Sequence, residues 1–423
     1  MNNDTINIKY RFPIFKQEKW KLHKLSEIAK YTNGRAHEQD IDANGKYVVI
    51  NSKYISTDGA VVKYSNTAHC LAEKNDILMV LSDVPNGRAI AKCYLVKENS
   101  KYTVNQRICR ITPNQGIESS LLYYLMNRNP YFLSFDDGVK QTNLKNDDVL
   151  NFEILLPSNQ AEQQKIAACL SSSDDVIAGH EEKVTALEEH KKGLMQNLFP
   201  QEGETQPKYR FPEFENDGDW VEKSIIDTAD KNIKWSFTGG PFGSNLKSSD
   251  YTSNGIRIIQ LQNIGDGIFN DDYKIYTSLK KTNELLSCNI YSGDIILSKM
   301  GDPVGRACIM PGENQRFLMA SDGIRLVVNE KEFSKYFIYS HLNSVLTRSK
   351  IEAKSTGSTR KRIGLDALKQ IPILVPKSIQ EQKKIAEVLS LVDELIIAQR
   401  EKIEILKEHK KGLMQGLFPK IEI

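Results

Sequence analysis

Two polar, basic stretches occupy equivalent places in the two halves of this chain. From Arg348 to Arg362 the sequence reads RSKIEAKSTGSTRKR, with six lysines and arginines against one glutamate. Cationic side chains neutralise phosphates, while interspersed hydroxyls and amides can hydrogen-bond to base edges. Lys354, Ser355, Thr356, Ser358, Thr359, Arg360, Lys361 and Arg362 are therefore candidate DNA-binding residues. The matching stretch of the first half supplies Lys140, Gln141, Thr142, Asn143 and Lys145. Gln141 and Asn143 are of the types that pair bidentately with adenine. A second pair of equivalent loops, Ser82 to Arg88 and Lys299 to Arg306, adds Arg88, Lys299 and Arg306.

Other chemistry is not spelled out. Asn129-Pro130-Tyr131 shares part of an adenine-methyltransferase motif but lacks its second proline, and no glycine-rich cofactor loop precedes it. Gly239 to Gly243 is followed by no Gly-Lys-Ser/Thr, so it reads as a turn that exposes backbone and not as a phosphate loop. The seven histidines lack metal-ligand spacing, and the six cysteines lack CxxC spacing and sit in apolar contexts, which predicts reduced thiols. No catalytic, cofactor-binding or metal-binding residue is assigned. With 57 basic and 54 acidic residues the net charge is only +3, so any polyanion footprint must be local. Apolar content of 40% with 26% charged residues fits a soluble protein, and no signal peptide or membrane span is read, which predicts a cytoplasmic location.

The elements that position these loops come from a duplication. The segment from Pro157 to Pro200 recurs from Pro376 to Pro419 without a gap. Alternating spacings of three and four place Leu170, Ser173, Ile177, His180, Val184, Leu187, Lys191, Leu194 and Leu198 on one stripe, repeated at the second copy from Leu389 to Leu417. That pattern is a heptad seam, and two matched copies predict a two-helix coiled coil. Asn159 and Ser378, each three residues ahead of Glu162 or Glu381, read as capping boxes, and Pro200 and Pro419 close the helices. A helix of this length spans on the order of 58 Å. Gly193 and Gly412 are read as C-caps or as points of close approach.

Lys9 to Pro13 and Lys208 to Pro212 carry a shorter echo, KYRFP. The second copy follows the first long helix, and the first copy opens a chain that closes on the second helix, so the two ends should complete one junction. The expected architecture is α+β: two globular domains separated by two long antiparallel coiled-coil helices in a pseudo-two-fold circular arrangement. The divisions are 1–15, an N-terminal segment completing the C-terminal junction; 16–157, the first globular domain; 158–200, the central helix; 201–214, a linker with the repeated KYRFP; 215–376, the second globular domain; and 377–423, the C-terminal helix and tail.

These residues resemble the DNA specificity subunit of Type I restriction-modification systems. The resemblance rests on the domain endings at Pro157 and Pro376, on Glu-Gln-x-Lys-Ile-Ala from Glu162 and from Glu381, and on Leu-Met-Gln-x-Leu-Phe-Pro closing each helix. Gly240 to Ser244 and Gln262 to Gly265 add to it. It implies that the two globular domains are target recognition domains of a non-catalytic subunit that directs a complex to an asymmetric bipartite target in double-stranded DNA, one target recognition domain per half-site, with the helices as spacer. It further implies two modification subunits bringing S-adenosylmethionine and restriction subunits bringing ATP and magnesium, with no cofactor bound by this chain. The alternatives are a stand-alone adenine-specific DNA methyltransferase and a coiled-coil scaffold protein.

Overall fold

Runs such as Ile77 to Val80 are apolar at every position, the signature of a strand buried on both faces. In the computed structural model, which describes residues 8–85, 87–312, 315–358 and 360–419, that strand is fully buried. Ile77 and Met79 join a core with helices, while Leu78 and Val80 face a second sheet. The chain forms two compact units, one of residues 1–180 with 402–423 and the other of residues 181–401.

The first unit stacks two four-stranded sheets. One is antiparallel, in the order Ala29–Asn33, Ile108–Pro113, Ile77–Val80, Cys93–Leu95. The other runs Tyr64–Ser65, Tyr47–Ile50, Tyr102–Val104, Leu71–Ala72 around one parallel pair. Trp20–Lys24 pairs with Glu153–Pro157, so the domain starts and ends side by side. The second unit repeats the plan: Phe237–Gly239, Gly323–Leu326, Ile295–Ser298 and Ala307–Ile309 form the first sheet, a five-stranded sheet replaces the other, and Val221–Ser224 with Pro372–Val375 closes the domain. Ile295 and Leu297 face the helical core here and Ile296 faces the second sheet, the same division of labour as in the first unit.

Each unit contains about half of each long helix and buries a few residues of its apolar stripe. The helices are Gln160–Leu198 and Ile379–Leu417. Ile166, Ala167 and Leu170 enter the first core beside Leu417; Leu198 and Phe199 enter the second beside Ile385, Ala386 and Leu389. Within the second unit Glu188 pairs with Arg400 at 2.6 Å and Lys191 with Asp393 at 2.7 Å, so one helix advances as the other retreats. The pairing is antiparallel, as the sequence predicts. Both helices run past Gly193 and Gly412, so neither glycine is a C-cap.

The helix starts depart from the expected capping boxes. Asn159 accepts from the Ala161 N–H at 3.0 Å and Ser378 from the Gln380 N–H at 3.2 Å, but the glutamates do not reach back to close the box. Glu162 instead binds the Arg11 guanidinium, with Oε1 2.9 Å from Nε, and accepts from Trp20 Nε1 at 3.3 Å. Glu381 does the same with Arg210 at 2.8 Å and Trp220 at 3.2 Å. Both carboxylates are buried, where a bidentate guanidinium satisfies them better than one amide could. The terminal echo has the same logic. Tyr10 N–H donates to Gly416 O at 2.8 Å in one unit, and Tyr209 N–H donates to Asn197 O at 2.9 Å in the other. All six cysteines are free thiols, and burial pushes the Cys109 and Cys308 thiols up to about 12. Among the described residues no helix is long and apolar enough to cross a membrane.

Candidate nucleic-acid interface

The stretches singled out in the sequence meet in pairs. In the first domain Ser82–Asp83 pairs antiparallel with Thr142–Asn143; in the second, Met300–Gly301 pairs with Lys361–Arg362. The flanking hydrogen bonds coincide as well, Leu144 N–H to Leu81 O at 2.8 Å and Ile363 N–H to Lys299 O at 3.0 Å. A two-residue ladder therefore joins the two candidate loops of each domain at the same place on the scaffold.

Around the first ladder the candidates divide into exposed and committed groups. Lys140, Gln141, Asn143, Lys145 and Arg88 are exposed. Gln141 Nε2 donates to Ser82 Oγ at 2.7 Å and to Asn143 Oδ1 at 3.4 Å, which engages its amide nitrogen within the ladder. Thr142 is buried and its hydroxyl donates to Asp136 at 2.9 Å, so it holds the loop from within. The loop bearing Arg88 folds around the Asp83 carboxylate, which accepts from the N–H groups of Ala89 at 2.6 Å and Ile90 at 3.1 Å. Pattern reading missed Asp83 because a lone acid in a turn carries no distinguishing signal until its donors are placed.

The second ladder presents more charge and more compensation. Thr356 and Arg362 exchange backbone hydrogen bonds at 2.9 and 2.8 Å, making a hairpin whose tip carries the exposed Ser358 and Arg360; Thr359 lies outside the described residues. Lys354 is exposed at the end of helix Val345–Ala353, and Ser355 donates to Ile351 O at 2.8 Å. Two cations are already paired, Lys361 with Glu352 and Arg362 with Asp322, the latter at 2.9 Å. Lys299 is half-buried and its N–H donates to Asp322 O at 2.7 Å. Arg306 is half-buried beside Gly301, with Nε enclosed and without an acceptor. Arg348, which counts towards the basic composition, is turned inward: it pairs with Asp266 and donates to Leu342 O at 3.2 Å. The net positive character of this surface is accordingly smaller than the sequence count implies. Among the described residues no group of three or more His, Cys, Asp or Glu is placed to hold a metal ion.

The scaffold is a doubled α+β plan with ladder-joined polar loops on each copy and long helices that contribute to both cores. Residues 17–189 and 243–408 match the Type I restriction modification DNA specificity domain, and the chain belongs to that family. Its place is that of a specificity component and not a catalytic one. The Type I restriction enzyme MjaVIII specificity subunit of Methanocaldococcus jannaschii is 23% identical over 95% of this chain and 92% of its own. The putative MjaX specificity subunit of the same organism is 26% identical over 95% and 93%. In fold, the Type-I restriction-modification S subunit from M. genitalium superposes with a TM-score of 0.59 at 17% identity, covering 98% of this chain and all of that one. A chain solved to explain complex assembly and conformational transition of the type I R-M system gives 0.54 at 18% identity, over 97% and 99%. At these identities the superpositions speak to fold alone.

Proposed function

We propose that this chain reads an asymmetric, bipartite sequence in double-stranded DNA, one half-site per domain. The observation that carries the reading is the shared ladder with unlike residues. Ser82 and Asn143 occupy the positions that Met300 and Arg362 occupy in the other domain. A common backbone presenting different donors and acceptors suits two readers of different base sequences. The exposed residues Arg88, Lys140, Gln141, Asn143, Lys145, Lys354, Ser358 and Arg360 are assigned direct contact, and the paired Lys361 and Arg362 a contact that requires rearrangement of their acids.

The long helices are proposed as the spacer and as the docking surface for two modification subunits, which would supply S-adenosylmethionine and methylate adenine. Restriction subunits would add ATP- and magnesium-dependent translocation and cleavage. Half-sites about one helical turn of DNA apart, roughly 34 Å, would present the same face of the duplex. The test is to reconstitute the chain with its modification partner and map methylated adenines on a genome-sized substrate. A single two-part motif, lost when either domain is exchanged for another, is the expected result. Methylation without sequence preference, or by the partner alone with the same preference, would remove the assignment.

A further inference from the structure

A third pair of equivalent loops follows the edge strands of the two first sheets, and its second copy reads in the sequence as a turn that exposes backbone. Gly34 and Gly240 each follow the edge strand of the first sheet. Gly34 N–H donates to Ile108 O at 2.9 Å and Gly240 N–H to Gly323 O at 2.8 Å. A Cβ on Gly34 would stand 2.0 Å from Asn105 O, and one on Gly240 1.7 Å from Ala320 O, so both positions require glycine for close backbone approach. The next residues diverge, Arg35-Ala36 in one domain and Pro241-Phe242 in the other.

Phe242 is 83% exposed, more than any other large apolar side chain described. Phe242, Tyr251, Gln260, Gln262, Ser321 and Asp322 line one open recess. Asp322 also binds Arg362 and, through its carbonyl, the Lys299 N–H, so the recess is continuous with the proposed DNA-contacting ladder. An aromatic ring held in water contributes little to folding, and its neighbours are the amides of Gln260 and Gln262, the Ser321 hydroxyl and one carboxylate, Asp322, whose charge Arg362 offsets.

We propose that Phe242 is a stacking residue that inserts at a base step of the half-site read by the second domain, with Gln262 and Ser321 at the edge of the displaced base. The inference rests on the DNA-reading assignment and deepens it. Apolar wedges partly unstack the step they enter, and base–aromatic stacking tolerates any base while the flanking polar groups add preference. The first domain, with Arg35 and Ala36 after its glycine, offers charge at the same place, so the two readers would engage DNA differently through one loop.

The experiment uses the full chain with its modification partner and a duplex containing the mapped target, with 2-aminopurine placed in turn along the second half-site. The wild type should raise 2-aminopurine emission at one step. Phe242→Ala should abolish that rise and weaken specific binding roughly tenfold or more, with an unchanged salt slope because no charge is lost. Phe242→Trp should retain both. Unchanged affinity and emission in Phe242→Ala, with specific binding by the wild type intact, would overturn the stacking role while leaving the DNA-reading assignment standing. A wild-type complex that shows no specific binding would overturn both. Loss of modification-subunit assembly in Phe242→Ala, with DNA affinity preserved, would move the residue to a protein interface and likewise overturn the proposal.

Discussion

Lys191 Nζ lies 2.7 Å from both carboxylate oxygens of Asp393. The same carboxylate accepts from the Tyr336 hydroxyl, so one acid ties a recognition-domain helix to both long helices. In the other unit Asp174 plays this part, paired with Lys410 and accepting from Tyr124 at 2.7 Å. Burial and the neighbouring acid push both tyrosine hydroxyls well above their usual range, so each stays a neutral donor across ordinary pH. Asp393→Ala should cost about 2 kcal/mol of stability, the scale of hydrogen bonds to a charged group. Asp174→Ala should act in the same direction. Denaturant midpoints check this, and wild-type midpoints in both variants would refute a structural role for the clusters.

The buried Arg–Glu pairs should matter more. Arg210→Met leaves Glu381 enclosed at 1% side-chain exposure without its counter-charge, for which about 3–5 kcal/mol is typical. Arg11 is more exposed than Arg210, 18% against 7%, so Arg11→Met should be the milder of the two. Removing the segment that carries Arg11 should loosen the first unit, read out as faster hydrogen exchange at Trp20 and at the start of the first long helix. Equal effects of the two arginine substitutions would contradict the burial argument.

The second unit should lose stability in mild acid. His341 is buried against Phe199 and Phe337, and burial foremost, with Lys350 a minor contributor, lowers its pKa from 6.5 to about 4. A lowered folded value means that the unfolded chain takes up the proton first. The stabilisation is therefore complete above about pH 6.5 and drains away as pH falls towards 4, on the order of 3 kcal/mol in all. Replacing His341 by Asn should flatten that slope in a pH series of unfolding midpoints, whatever it does to stability at neutral pH.

Salt dependence separates free from compensated cations at the second ladder. Arg360→Ala should weaken DNA binding and reduce the slope of log K against log salt by about 0.9. Lys361→Ala should do less, because Glu352 already neutralises that charge. Glu352→Gln should tighten binding. An Arg360→Ala protein with unaltered affinity and slope would take the hairpin tip out of the interface.

Much of this architecture was legible because duplication and periodicity are local properties of a sequence. The heptad stripe, the proline stops and the KYRFP echo specify two long helices and their junctions without reference to any long-range contact. Lys191 and Lys410 were legible only as interruptions of the seam; their partners Asp393 and Asp174 lie in the other helix, at a register no single stripe encodes. Glu162 and Glu381 were misassigned for a related reason, since a capping box and a buried ion-pair acceptor share the same spacing, and only the arrival of Arg11 or Arg210 distinguishes them.

By itself the sequence determined that the chain is two copies of one plan, α+β with long seam-bearing helices, and that its polar loops fall at equivalent places. The tertiary structure decided which loops meet, which cations keep a free charge and which aromatic ring stands in water. The physical reason is range. Helix periodicity and turn chemistry act over a few residues, whereas the ladder between Met300–Gly301 and Lys361–Arg362, the Asp322–Arg362 pair and the exposure of Phe242 are set by contacts between segments far apart in the chain.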